Sequence, residues 1–170
     1  IDACLDHERE HADDPAPLVK IYTSGSFLDE REVPAETRRA IAETFADRDR
    51  MVVESLPDFV DREKIADFAE HGIATDVAVG LETATDRVRR DCVNKYFAFT
   101  DFEDACAEAA AADDAFDADV GVKAYLLLKP PFLAEPEAAA DMVDSIRRCA
   151  AVDGCHTVSM NPCNVQRYTM

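Results

Sequence analysis

Five short apolar runs, each separated from the next by a helical pattern and never by a hairpin turn, constrain this chain more than any other feature. They are residues 18–22 (LVKIY), 51–54 (MVVE), 76–81 (DVAVGL), 120–128 (VGVKAYLLL) and 156–160 (HTVSM), and their ends recur about every 25 to 50 residues. Strands joined through helices, not tight turns, lie parallel, so the pattern predicts an α/β fold: a parallel sheet with crossover helices. An open doubly wound sheet and part of a (β/α) barrel both satisfy it. No GxGxxG or GxxxxGK[ST] follows a strand, which weakens the nucleotide-binding forms of the open sheet.

The helices between the strands carry their own signals. The chain opens on a helical pattern, with Ile1, Cys4 and Leu5 apolar, as though an earlier part had been left off. Pro34 suits a first helical turn that places Thr37, Ile41 and Phe45 on one face. Asp61 reads as the cap of a helix that buries Ile65, Phe68 and Ala69 and stops at Gly72. Thr100 to Glu103 reads as a capping box opening a helix through about Ala111. Pro136 starts a helix predicted to bury Ala139, Met142, Val143 and Ile146, with Arg147 and Arg148 near its negative end.

A length of 170 residues is one domain's worth, and 48% hydrophobic with 32% charged residues reads as folded and soluble. The net charge of −18 comes with five lysines against thirteen arginines. A solvated acidic surface suited to concentrated salt, as in a salt-loving microbe, explains this better than a patch for one basic partner. Charge alone does not exclude RNA, because molar salt screens the long-range repulsion. No run of 18 apolar residues and no basic-then-apolar leader is present in the sequence, so no membrane is expected and the cytoplasm is the default location. None of the six cysteines forms a CxxC; buried reduced thiols explain most of them, and the spacing of Cys149, Cys155 and Cys163 matches no common metal motif.

Ligands of parallel α/β proteins bind at the C-terminal ends of the strands. Aligning those ends puts Ser24, Gly25 and Ser26, then Glu54, Glu82, Lys129 and Asn161 on one rim. Small residues at 24–26 let backbone approach a ligand and offer N–H and hydroxyl donors. Glu82 is answered thirteen positions later by the lone Lys95, which looks like a clamp. Each feature alone is more often a solvated loop; their joint position argues for a site.

The succession Thr23-Ser24-Gly25-Ser26-Phe27, Glu54-Ser55, Val79-Gly80-Leu81-Glu82-Thr83, Asn94-Lys95-Tyr96-Phe97, residues 123–129 and Asn161-Pro162 resembles the radical S-adenosylmethionine superfamily. Within it the chain is similar to the branch of the elongator catalytic subunits and tRNA methylthiotransferases, and most to the archaeal radical enzymes of archaeosine synthesis. The resemblance covers essentially all 170 residues and implies strands two to six of a partial (β/α)6 barrel, one core domain lacking the first strand. It implies that Ser24, Gly25 and Ser26 receive the methionyl amino group, that Glu82 contacts the ribose, and that Lys95 pairs with the methionyl carboxylate; Glu54 and Asn161 complete the cofactor set. A zwitterion plus a ribose does need acceptors and one cation in a single cleft.

The implied cofactors are S-adenosylmethionine and a [4Fe–4S] cluster, and the implied partners are tRNA and an enzyme that forms a lysine adduct on it. The 5′-deoxyadenosyl radical would take a hydrogen from that adduct, and C–N cleavage would leave archaeosine. The sequence departs from the family: the CxxxCxxC loop that holds the cluster and the strand before it do not occur, nor do the last crossover helix and any RNA-binding appendage, so affinity for tRNA is not expected of these residues alone. These 170 residues alone are therefore expected to bind no cluster and to be inactive. A non-catalytic α/β binding or scaffold domain is the alternative, and a (β/α) enzyme using Glu54 or Glu82 as general base is a third. The strand from Leu18 to Tyr22, without an upstream neighbour, is expected to self-associate through its edge.

Overall fold

The computed structural model describes residues 2–10, 16–22 and 25–164. Helix α1 (Asp2–Glu10) precedes strand β1 (Leu18–Ile21), helix α2 (Ala35–Thr44) and strand β2 (Arg50–Glu54). A 3-10 turn at Pro57–Phe59 leads to α3 (Arg62–Ala69) and β3 (Ala74–Glu82). Next come the short α4 (Asp86–Val88), a π-turn (Arg89–Val93), α5 (Phe99–Phe116), β4 (Val120–Leu128), α6 (Glu135–Cys149) and β5 (Cys155–Pro162).

The five strands form one parallel sheet in the order β1-β2-β3-β4-β5. A doubly wound sheet reverses its strand order at a switch point. Here the order never reverses, so of the two sheets compatible with the sequence the chain adopts the singly wound, barrel-like one.

Register decides which side chains face the helices. Ile21, Val53, Val77 and Val122 lie side by side, as do Val79 and Ala124. With Met51, Leu81 and Leu126 they form the core against α2, α3, α5 and α6, where Ile41, Ile65, Phe68, Phe102 and Met142 meet them. Each such side chain, once fully buried, contributes about 1.5–3 kcal/mol relative to exposure. The opposite, inner face carries Val52, Asp76 and Gly121 in one row and Glu54, Ala78 and Lys123 in the next. Its other members are the polar groups considered below.

The caps show where local signals hold and where they slip. Asp61 caps α3 by accepting from the Glu63 N–H at 2.7 Å, and Gly72, at φ +72°, ends the following turn. Helix α5 starts at Phe99, before the expected box: the Asp101 carboxylate reaches back to the Ala98 N–H at 2.6 Å, and the helix runs to Phe116. Helix α6 buries Ala138, Met142, Ser145 and Cys149, not the expected Ala139 and Val143, and Val143 is 46% exposed. The face turns because Ser145 is drawn inward, its hydroxyl accepting from the Ala84 N–H at 2.9 Å. No helix among the described residues is long and apolar enough to cross a membrane.

Candidate functional site

A cleft of about 620 Å³ opens on the inner face at the C-terminal ends of the strands. Its floor is low because Ala78 and Gly80, two positions apart on β3, put almost no side chain there. Tyr22 and Gly25 bound it from the β1 end, Glu54 and Ser55 from β2, and Tyr125 and Asn161 from β4 and β5.

The far wall is the Glu82–Lys95 pair. The register of β3 against β4 is irregular between Gly80 and Glu82, and Glu82 takes the left-handed conformation (φ +66°) as the strand exits. A non-glycine residue there carries about 1–3 kcal/mol of strain, which persists only where its surroundings fix it. Lys95 arrives from the other side, where α4 widens into the π-turn and Asn94 reverses the chain at φ +64°. Its Nζ donates to Glu82 Oε1 at 2.8 Å and to the Gly80 carbonyl. Gly80 is required by this approach, since a Cβ at that position would stand 2.7 Å from the ammonium. Both side chains remain reachable, at 27% and 21% exposure for Lys95 and Glu82.

Helix α6 anchors the loop that follows Glu82. Thr83 Oγ1 donates to Asp141 at 3.0 Å, and Arg148 donates to the Ala84 carbonyl at 2.6 Å with its guanidinium 4.0 Å above the Phe99 ring. The exit of β1 is held from the β2 side, where the Phe27 N–H donates to the Glu54 carbonyl at 2.8 Å.

Of the residues picked out in the sequence, Gly25, Glu54, Glu82, Lys95 and Asn161 converge on this cleft. Ser24, with Thr23, lies outside the described residues. Ser26 is buried and off the cleft wall: its hydroxyl accepts from the Leu56 N–H at 3.0 Å and its own N–H donates to Glu32 at 3.1 Å. Lys129 lines a separate groove with Phe132 and Cys163, and pairs with Glu135 at 3.2 Å. Strand β4 continues past the rim, which carries Lys129 away from the cleft.

Sequence reading missed Tyr22 and Tyr125. Burial, and then the neighbouring Tyr22 hydroxyl, push the Tyr125 phenol above its ordinary value. Alternation could have found it, because Tyr125 is two positions beyond Lys123, which pairs with Ala78, itself paired with Glu54. The cysteines also regroup. Cys163 stands apart at the groove, while Cys155 comes together with Cys106 and Cys149. Hydrogen bonding from Cys106, then Cys149, holds the Cys155 thiol well below its usual range, at about 4.

No protein-family model matches the chain. It is 41% identical over 161 residues to the archaeosine synthase subunit beta of Methanosarcina acetivorans, an alignment covering 92% of this chain and 44% of that protein. The subunit of the same name from Thermococcus kodakarensis is 40% identical over 159 residues, covering 89% and 46%. The chain thus spans less than half the length of these relatives. Among solved structures, the archaeal Methanocaldococcus infernus Elp3 superposes with a TM-score of 0.61 at 13% identity, over 95% of this chain and 40% of that one. The radical S-adenosylmethionine methyltransferase TsrM of Kitasatospora setae, holding cobalamin and a [4Fe–4S] cluster, gives 0.63 at 14%, over 94% and 30%. The chain therefore has a radical S-adenosylmethionine-like fold and is homologous, over most of its own length, to proteins named archaeosine synthase subunit beta.

Proposed function

We propose that this chain is the S-adenosylmethionine-binding core of a radical enzyme of tRNA modification, acting in archaeosine formation by C–N cleavage of a lysine adduct that a partner enzyme installs. The observation that carries the reading is the convergence of Glu82, Lys95, Gly25, Glu54 and Asn161 on one cleft at the strand ends. The cleft's charged groups are two carboxylates and one ammonium, so it is one unit negative. S-adenosylmethionine carries a sulfonium, an ammonium and a carboxylate and is one unit positive, with the charges distributed along its length. Lys95 suits the carboxylate, Glu54 and the chain near Gly25 suit the ammonium, and Glu82 suits the ribose hydroxyls. The names of the relatives support the place in archaeosine synthesis.

The bound cofactor supplies the hydrogen-abstracting chemistry; these residues bind and orient it. The cluster is a different matter. It needs thiolates, no cysteine lines the cleft, and no group of three or more His, Cys, Asp or Glu side chains among the described residues is arranged to hold a metal. The described residues do not fit a cluster, and on this reading they perform no turnover alone.

Equilibrium dialysis of the full-length protein against S-adenosylmethionine tests the proposal. Wild type is expected to bind, and Lys95→Met to bind at least tenfold more weakly, the loss of one charge-assisted hydrogen bond. Equal binding by the two would remove Lys95 from the site. The reduced full-length protein, given tRNA carrying the adduct, is expected to release 5′-deoxyadenosine.

A further inference from the structure

Among the described residues, Arg89 is the largest side chain that the fold buries completely, at 0% exposure. An arginine is seldom buried so fully unless its donors are satisfied. Here all three guanidinium nitrogens are used, each on a different piece of chain. Nη1 donates to the Thr83 carbonyl at 2.6 Å, Nε donates to the Phe97 carbonyl at 2.9 Å, and Nη2 pairs with Asp86 Oδ1. The guanidinium also stands 5.1 Å from the centre of the Phe97 ring.

The positions of those partners give the network its meaning. Thr83 directly follows Glu82, and Phe97 lies two residues beyond Lys95. The backbone of Arg89 adds to the bracing: its N–H donates to the Thr85 carbonyl at 2.9 Å, and its carbonyl accepts from the Lys95 N–H at 3.1 Å. Residues 94–98 have no regular secondary structure, so their placement depends on such side-chain ties. Asp86, which supplies the countercharge, also accepts from the Phe99 N–H at 2.8 Å at the start of α5.

We infer that Arg89 is a positioning residue for the Glu82–Lys95 clamp: its buried guanidinium joins the two segments that carry the pair and so holds Lys95 where the carboxylate of a bound amino-acid moiety would meet it. The inference rests on the reading of the cleft as an S-adenosylmethionine site. Lysine cannot take over the role. A planar fork reaches three acceptors in fixed directions, whereas an ammonium at the end of a flexible stem leaves at least one of the two buried carbonyls unpaired.

The readout is discrimination, not affinity alone. Full-length protein is titrated with S-adenosylmethionine and with its decarboxylated analogue, which lacks only the group that Lys95 would meet. Wild type is expected to prefer the carboxylated ligand about tenfold, and Arg89→Lys to bring the ratio close to one. Arg38→Lys is the control: Arg38 is 2% exposed and pairs with Asp67 at 2.7 Å, between α2 and α3. That variant is expected to melt at lower temperature with the ratio unchanged. Asp86→Asn, at a carboxylate 57% exposed, keeps the fold and weakens the tie, and is expected to lower the ratio two- to threefold.

An unchanged ratio in folded Arg89→Lys overturns the inference and leaves the cofactor reading standing. If Arg89→Lys does not fold, an unchanged ratio in Asp86→Asn overturns it equally. Wild type that binds neither ligand overturns the cofactor reading and this inference with it; wild type that binds both alike takes Lys95 off the carboxylate and overturns this inference alone.

Discussion

Gly80→Ala separates the geometry of the clamp from the stability of the sheet. The added methyl group would lie 2.7 Å from Lys95 Nζ and 3.0 Å from Glu82 Oε1. Both are ends of flexible side chains, so they yield and the backbone does not. The ammonium loses its bond to the Gly80 carbonyl, a contact contributing about 0.5–1.5 kcal/mol at a site this accessible. Against that, replacing glycine at a position whose φ alanine tolerates stabilises by about 0.4–1 kcal/mol through the unfolded chain. The two terms nearly cancel. At about 2–4 °C per kcal/mol for a chain of this size, the melting temperature of the full-length protein should move by no more than about 4 °C. Ligand binding has no compensating term. With Lys95 displaced, the bond to a ligand carboxylate is lost or lengthened, about 1.5–3 kcal/mol, and S-adenosylmethionine affinity should fall by roughly tenfold or more. Calorimetric titration beside thermal melting reads both quantities. A variant that melts like wild type and binds equally tightly would show that the space over Gly80 is not where the ligand's carboxylate goes.

Other expectations follow from the same structure. Glu82→Gln in the full-length protein should weaken cofactor binding, whereas undiminished binding with loss of turnover alone would point to a general base. Met142→Ala should cost about 2–4 kcal/mol and Val143→Ala under about 0.5 kcal/mol in denaturant melts, because Met142 is 6% and Val143 46% exposed; equal costs would refute the assigned face of α6. Cys155, with its thiol held at about 4, is a thiolate throughout the neutral range, so its alkylation should be nearly flat from pH 6 to 8. An ordinary thiol accelerates roughly 75-fold over that interval, and a Cys155 that did the same would have no donors beside it. Among the described residues β1 pairs only with β2, so the 170-residue chain is expected to self-associate through that edge; a strictly monomeric sedimentation profile at high salt would count against it.

The parallel pairing was legible because strands joined through crossover helices lie parallel, and the Glu82–Lys95 ion pair because a strand-end glutamate is answered thirteen positions on by an isolated lysine. What escaped did so for identifiable reasons. Tyr125 sits in an apolar run that reads as core throughout, yet a strand alternates, and every second residue of β4 faces the cleft instead of the helices. Arg89 is hidden among Arg87 and Arg90, which are exposed as charged residues usually are, so only a three-dimensional partner set distinguishes it. Ser145 turned α6 because a serine that caps a loop N–H is worth burying, a preference that a hydrophobic pattern does not register. Lys129 failed because β4 runs two residues past its last pairing with β3, at Glu82 and Leu126, so a strand end in sequence is not the same level in space.

Charge ties the cleft to the rest of the surface. A chain at −18 attracts a cationic cofactor and repels a polyanion in dilute buffer, and concentrated salt removes both effects beyond about one Debye length. What survives screening is short-range, and in the cleft that is Lys95 against Glu82 at 2.8 Å together with the half-buried groups beside them. Three of the outer cations are in a different position. Arg31 is held by Asp29 at 2.7 Å, Arg90 by Asp91 at 2.7 Å and Lys129 by Glu135 at 3.2 Å, so a phosphate backbone would have to displace a carboxylate at each. Such exchange yields little net energy at exposed sites. At these three positions, then, a nucleic acid would gain little, whereas on the proposed reading the short-range groups of the cleft would hold the small cofactor at any salt concentration.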